Sequence, residues 1–375
     1  MPTADVIVIG LGGVGSAAAW HLARRGLRVL GFDRFDPPHD HGSSHGQSRV
    51  IRKAYFEHPN YVPLLQAAYQ AWHELEQASA QSLYFPVGLL EVGPVDGVII
   101  PGILASAAEH QLPIERLNAT EIHTRWPSVR VAEGDVGLFE SEAGYLLVEA
   151  CVAAHLRVAE AAGAELRFNE QVVSWNAEAD QVCVTTDRGE YHAARLVIAG
   201  GPWADHLLVE LRLPLRLLRK DLYWYVGGST DYRAESGMPT FLFETPAGYY
   251  YGFPAFDHRG LKVARHDGGI PLASADGLTR EMDTADQALV ERFLATHLPN
   301  SMGTLAEHAT CIYTMTPDEH FVVDRHPEHP QVALAAGLSG HGFKFASILG
   351  RILAELATDG EASLPINFLS LRRFF

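Results

Sequence analysis

Cysteine is scarce: Cys151, Cys183 and Cys311 are the only three in 375 residues. Three thiols build no disulfide framework, and the count suits a reducing compartment. Positive charge is also short. Lys and Arg number 29 against 45 Asp and Glu, a formal net charge of −16. That excess argues against nucleic acid and anionic membrane surfaces as partners, and an anionic small substrate would need its own cluster of cations. Long apolar runs are missing. The least polar stretch, residues 98–108, falls short of the ~18 residues that a membrane span needs. "MPTADVIVIG" shows no basic leader and no cleavage site, so the expected location is the cytoplasm. There is no CxxC and no HExxH. The densest histidine cluster, His39, His41 and His45, matches no zinc spacing, and no metal is expected. Repeats and low-complexity segments are absent too. What remains is an ordinary soluble composition, 47% hydrophobic and 20% charged, in a chain long enough for two domains.

The clearest positive signal opens the chain: "DVIVIGLGGVGSAAAWHLARRGLRVLGFD". Residues 5–9 form a continuous apolar run, as a buried parallel strand requires. Gly10, Gly12 and Gly15 follow, then a helical stretch over residues 14–25 that Gly26 stops. A second strand, "LRVLGFD", ends at Asp33, 23 residues after Gly10. This is GxGxxG between strand and helix. The first glycine permits the tight turn, the second lets backbone approach a pyrophosphate, and the third lets helix pack on strand. The helix N-terminus attracts the diphosphate, and Asp33 can accept from a ribose hydroxyl.

Further on, helical stretches are read at 61–77, within 100–125, and in "EACVAAHLRVAEAAGAELRF". "LYFPVGLLEVG" reads as a strand pair entering a different region, and 213–318 as a mainly antiparallel sheet. The last segment restores a strand–glycine–helix rhythm around "AAGLSGHGF". The fold class is therefore α/β, with α+β texture in a second domain. A Rossmann-like nucleotide-binding domain spans 1–88, 146–212 and 320–375, and a substrate-side sheet is inserted at 89–145 and 213–319. A second glycine-rich turn at Gly337, Gly340 and Gly342 suits a long cofactor threaded across the domain, which favours FAD over NAD.

Several cations stand out. Lys344 sits where a helix dipole opposes it by roughly 0.3–1 kcal/mol. Either it is solvated, or an anion lies in front of that helix. Arg49 and Arg52 follow the loop "HGSSHGQSR" and could grip phosphate, a flavin carbonyl or a carboxylate, or form a surface salt-bridge pair. Alternation puts Lys262, Ala264 and His266 on one strand face, and Tyr249, Tyr251 and Phe253 on another. Both sets either line a cavity or mark an amphipathic edge strand. Cys311, Tyr313 and Met315 also share a face, yet a free Cys is most often a small buried hydrophobe.

Five stretches together carry a resemblance: the N-terminal run, "HGSSHGQSRVIRKAY", "YYYGFPAF…GLKVARHDGG", "CIYTMTPDEHFVVD" and "GLSGHGFKFASILG". Almost end to end, the chain resembles the monomeric sarcosine oxidase and N-methyltryptophan oxidase family of flavoprotein amine oxidases. The resemblance implies FAD joined through its 8α-methyl group to a cysteine. It implies oxidation of a secondary N-methyl amino acid to an imine, hydrolysis to the amine and formaldehyde, and release of H2O2 from O2. By motif, Cys311 falls at the flavin attachment point and Lys262 at the lysine that promotes oxygen reduction. Arg52 and Lys344 fall where the substrate carboxylate binds. Arg49, Tyr251, His266 and Tyr313 match positions around the flavin ring and pocket, and His45 the loop before them. Arg34, Ser43 and Ser44 join the expected cofactor contacts. His45 and Arg49 are the candidates for lowering the Cys311 pKa during attachment. Gln47, Ser48, Lys53 and Pro317 depart from the family pattern. Sarcosine-like substrates come first. N-methyl-L-tryptophan and cyclic imino acids such as proline or pipecolate are the alternatives. A flavin dehydrogenase with another electron acceptor and a non-catalytic nucleotide-binding module are the competing classes. A monomer is expected.

Overall fold

The structure is a computed structural model that describes residues 3–178 and 180–375. Its first sheet grows from the apolar run at the start of the chain. Ala4–Ile9 pairs in parallel with Val29–Phe32 on one side and Glu190–Ile198 on the other. Glu165–Arg167 extends it beyond Val29–Phe32. Glu190–Ile198 divides its outer edge between two partners. Gln181–Thr186 runs antiparallel to its first half, and Val332–Ala336 runs parallel to its second. A sheet begun by the first ten residues is thus completed by the last fifty. The apolar strand is buried nearly throughout, as a parallel sheet covered on both faces demands.

The glycine-rich turn leads into the helix Gly13–Ala23, all of whose residues are buried. It packs against Val148–Ala161 and Ala346–Thr358. A Cβ at Gly350 would lie 2.4 Å from that of Ala17, so this helix crossing depends on a missing side chain. Gly26, with φ +83°, takes the chain out of the first helix as the sequence indicated.

Among the described residues the second sheet has nine strands. Its backbone is a long antiparallel pair, Arg216–Val226 against Thr304–Met315, in one register from Arg216–Met315 to Trp224–Glu307 and shifted by a bulge before Tyr225–Leu305. Leu261–Arg265 lies between Arg216–Val226 and Gly248–Phe253. It is an interior strand, so the edge-strand reading of Lys262 and His266 does not hold. One face packs Tyr250, Leu261 and Val263 under the helix Thr284–His297. The other gathers Leu222, Trp224, Ala264, Cys311, Tyr313 and Met315. The alternation read from sequence holds on both strands. Thr240–Thr245 pairs in parallel with Leu89–Pro94, the exception to an otherwise antiparallel sheet. The strand pair in "LYFPVGLLEVG" is split: Tyr84–Phe85 joins a small sheet with Ser48–Ile51 and Gly144–Leu147, and only Leu89–Pro94 enters the large one. Among the described residues no helix is long and apolar enough to cross a membrane.

Candidate active site

A cavity of about 490 Å³ runs between the two sheets. One wall is the first glycine turn, the other is strand Thr304–Met315 together with the turn 337–343. Gly10 adopts φ +84°, and a Cβ at Gly15 would sit 1.7 Å from the Gly10 carbonyl oxygen. Both positions therefore require glycine for the turn and for close packing of helix on strand. A Cβ at Gly12 would meet only Ser44 Oγ at 3.5 Å, so its surroundings are open. Ser44 Oγ accepts from Gly13 N–H at 3.1 Å, and Ser43 Oγ donates to the Ile312 carbonyl at 2.6 Å. Asp33 lines the cavity and accepts from Leu11 N–H at 2.8 Å and Phe35 N–H at 2.9 Å. Arg34 also lines it, paired with Asp276 at 2.8 Å. Gly337, Gly340 and Gly342 close the far end, and a Cβ at Gly340 would fall 2.3 Å from the Tyr313 ring.

The site residues on the second sheet are brought together around Cys311, which is 1% exposed. Lys262 is fully buried, and its Nζ donates to the carbonyls of Gly46 at 2.6 Å and Ser48 at 2.8 Å. Burial and then Arg49 push its pKa well below the usual lysine value, while Glu149 pulls the other way. Gly46 and Gln47 both have positive φ, 87° and 73°. Glu149 holds that strained turn by accepting from both N–H groups, at 2.7 and 3.1 Å. Gln47, one of the departures from the family pattern, is buried there, donating to Asp257 at 2.7 Å and accepting from Trp224 Nε1 at 2.5 Å. Arg49 donates to the carbonyls of Ser43 and Ser48, and no acid lies within ion-pair range of it among the described residues. Burial raises the Cys311 pKa; Arg49, Lys262 and Lys220 oppose that rise. His45 is held neutral, its pKa pushed down to about 4 by burial and Arg49, with Nε2 unpartnered. Of the two candidates for bringing positive charge to Cys311, then, only Arg49 is charged at neutral pH.

A smaller cavity of about 70 Å³ adjoins the first, sharing Arg49, Tyr313, Gly340 and Phe343 with it. Tyr251 and His266 line it, with ring centres 6.1 Å apart, and His266 lies 5.8 Å from Tyr313. Burial and then Lys220 drop the His266 pKa to about 3. Arg52 and Lys344 complete the lining. Arg52 is buried, not part of a surface pair. It bonds Glu57 at 2.7 Å and Glu91 at 3.1 Å, and lies 4.6 Å from the rings of Tyr55 and Phe56. Lys344 lies in the 3-10 turn Phe343–Phe345, just before the helix Ala346–Thr358 rather than within its first turn. It is 6% exposed. Its Nζ donates to the His341 carbonyl at 2.7 Å and Tyr55 Oη at 3.2 Å, and among the described residues it has no ion-pair partner. Burial, then Arg52, lower its pKa to about 7.

Sequence reading missed Glu57, Glu91, Glu149, Tyr55 and Lys220. Lys220 stands directly opposite Cys311 in the ladder. An acid in a sea of acids carries no signal by itself; its spacing from Arg52, 39 residues for Glu91, belongs to no local motif. Among the expected positions, neither Cys311 nor Lys262 lines either cavity directly; both lie behind the lining on the same sheet face.

The residues fit FAD. The large cavity offers a glycine cradle, a helix N-terminus and Asp33 at one end, and the aromatic face of Tyr313 at the other. Thr314 lines it with a buried, unpartnered Oγ1. The family model described as DAO, FAD dependent oxidoreductase, matches residues 5–356. The chain is 42% identical to the monomeric sarcosine oxidase of Streptomyces avermitilis over 99% of its own length and 98% of that protein's. It is 38% identical to the N-methyl-L-tryptophan oxidase of Shigella dysenteriae over 99% of each. In structure it is similar to NikD, an unusual amino acid oxidase essential for nikkomycin biosynthesis, with TM-score 0.86, 27% identity, and coverage of 99% of this chain and 98% of that one. The strand–glycine–helix start, the cradle and these matches agree: the chain belongs to the FAD-dependent oxidoreductase family, alongside the monomeric sarcosine and N-methyl-L-tryptophan oxidases.

Proposed function

We propose that the protein is an FAD-dependent oxidase of small N-methyl amino acids, sarcosine first. The overall reaction is secondary amine plus O2 and H2O to primary amino acid, formaldehyde and H2O2. One observation carries the substrate class: Lys344, a buried lysine without an acid, stands beside Arg52 in a cavity next to the cofactor cavity. A substrate carboxylate there would complete the charge balance and orient the amine. The cavity's 70 Å³ has room for roughly five to seven water-sized groups at 10–15 Å³ each. That favours a sarcosine-sized molecule over a tryptophan derivative.

When bound, FAD supplies the redox chemistry, taking two electrons from the substrate's N–CH3 unit and passing them to O2. Arg52 and Lys344 hold the carboxylate. Tyr251, His266 and Tyr313 wall the amine in and exclude water, and the low His266 pKa keeps that wall uncharged. Lys262, whose ammonium form two carbonyls favour against the burial that lowers its pKa, would supply positive charge where O2 gains negative charge. Cys311, next in sequence to the cavity-lining Ile312, would hold the cofactor as an 8α-S-cysteinyl thioether, with Arg49 nearby to favour the thiolate that attachment needs. Asp33 and the first glycine turn hold the nucleotide end. The two sheets support the division into a cofactor domain of residues 1–88, 146–212 and 320–375 and a substrate domain of residues 89–145 and 213–319. The relatives' name supports a monomer, and scarce cysteine supports a reducing cytoplasm.

The test is an anaerobic screen in which sarcosine, N-methyltryptophan, proline and pipecolate are each added to the yellow protein. Sarcosine should bleach it fastest, and air should then yield peroxide. Fastest bleaching by N-methyltryptophan would overturn the size argument, and colour returning only with a quinone would make it a dehydrogenase. Acid-denatured protein should stay yellow, with an intact mass one FAD above the polypeptide. Cys311→Ser should release all its flavin on denaturation, whereas Cys151→Ser and Cys183→Ser should release none.

A further inference from the structure

The antiparallel ribbon of the first sheet, inside its edge strand Val172–Glu178, carries a donor cluster that takes no part in either cavity. In the ladder between Gln181–Thr186 and Glu190–Ile198, Cys183 stands directly opposite His192. Val182 and Val184 are fully buried, so alternation turns Cys183 to the outer face of the ribbon. Glu190 lies two residues before His192 and shares that face. One donor atom from each of Cys183, Glu190 and His192 lies within 4.8 Å of the others. His192 Nε2 is 3.0 Å from Glu190 Oε1. On the far side of the ring, Gln181 Nε2 lies 3.1 Å from His192 Nδ1 and fixes its orientation. The backbone beneath is anchored as well: Thr3 N–H donates to the His192 carbonyl at 2.6 Å, and His192 N–H donates to Thr3 Oγ1 at 3.1 Å. The histidine spacings read along the sequence could not show this group, because its sulfur and its imidazole meet across two strands.

We propose that Cys183, Glu190 and His192 bind one divalent cation of the zinc class, with water in the fourth position. A thiolate, an imidazole and a carboxylate are the ligand types that Zn²⁺ takes in tetrahedral sites, and a sulfur–nitrogen pair disfavours Mg²⁺ and Ca²⁺. Three protein ligands on a partly exposed ribbon leave the fourth position to solvent. Binding forms a metal–sulfur bond and sends the thiol proton to solvent. The imidazole binds through Nε2, and the Gln181 amide turns to accept from Nδ1–H. The thiol gives up one proton per metal bound, and the cation's two charges are balanced by thiolate and carboxylate. Gln181 acts as a positioning residue, the outer partner that metal-bound histidines commonly have.

The test uses the holoenzyme, stripped with a chelator and dialysed to equilibrium against Zn²⁺, with bound metal measured by elemental analysis. Wild type should hold one Zn²⁺ per chain and release one proton per metal in a weakly buffered titration. Cys183→Ser and His192→Ala should lose that equivalent, and Gln181→Ala should bind roughly tenfold more weakly. Amine oxidation should be unchanged in all of them, since none of these residues lines either cavity. Two results would overturn the proposal. One is wild type retaining no more zinc than the Cys183→Ser/His192→Ala double variant. The other is that double variant still holding a full equivalent, which would mean adventitious binding at other surface histidines.

Discussion

The two adjoining cavities are made of different materials. Glycine turns at Gly10–Gly13, Gly200–Gly201 and Gly337–Gly342 form much of the larger one's wall. The smaller is lined by side chains with charge or a titratable ring, Arg49, Arg52, Glu57, His266, His341 and Lys344 among them. A backbone cradle recognises by shape and N–H groups, and it is damaged by adding a methyl group. A charged cavity recognises by sign, and it is damaged by removing one. The comparison can be broken from either side. The largest effect is expected from Lys262→Met, behind the shared wall. A unit charge at about 4 Å, with an effective dielectric near 20, interacts by roughly 4 kcal/mol, about three orders of magnitude in rate. Stopped-flow reoxidation by O2 should slow by that factor, while anaerobic reduction by substrate changes little. Next comes Lys344→Met. Truncating one partner of a desolvated charge pair costs about 2–5 kcal/mol, so carboxylate ligands should bind roughly 30-fold or more weakly in an absorbance titration. Arg52→Ala is the blunter variant, because it also strands Glu57 and Glu91.

On the backbone side, Asp33→Ala leaves the Leu11 and Phe35 N–H groups without their acceptor. An unmet buried donor costs about 1–3 kcal/mol. Measured on Cys311→Ser, where cofactor can dissociate, FAD affinity should fall roughly tenfold with the ring's spectrum unchanged. The smallest effect sharpens the comparison by pH. With the Lys344 pKa at about 7, its charge is lost as pH rises through that value. A carboxylate that needs the ammonium form must then bind with proton uptake. The Kd of an amine-free carboxylate such as propionate should rise about fivefold from pH 7 to pH 8, and Lys344→Met should flatten that slope.

The same contrast decided what could be read from sequence. Gly10, Gly12, Gly15 and Asp33 lie within one βαβ unit, so their spacing carries their geometry. The faces of Leu261–Arg265 and Thr304–Met315 followed from period two, and Lys262, His266, Cys311 and Tyr313 all point as alternation requires. Lys344 was visible as a cation in the wrong place, and burial explains it. Glu57, Glu91 and Glu149 were not visible, because an acid among 45 acquires meaning only from the cation that folding sets against it. The charge state of His45 was equally hidden, since burial and Arg49, not residue type, set it.

Lys262 grips the carbonyl of Gly46 across 216 residues of sequence. For a chain emerging from a ribosome, that separation is a delay. At about 5–20 residues per second the loop waits roughly 10–40 s before its lysine exists. The cradle waits longer still, because Gly340 and the strand that closes the first sheet belong to the last fifty residues. A chain stalled before residue 262 therefore carries the glycine turn that opens the fold but neither the far wall nor the cation. Assembly of this site is a late event, ordered by the chain: turn first, cation next, far wall last.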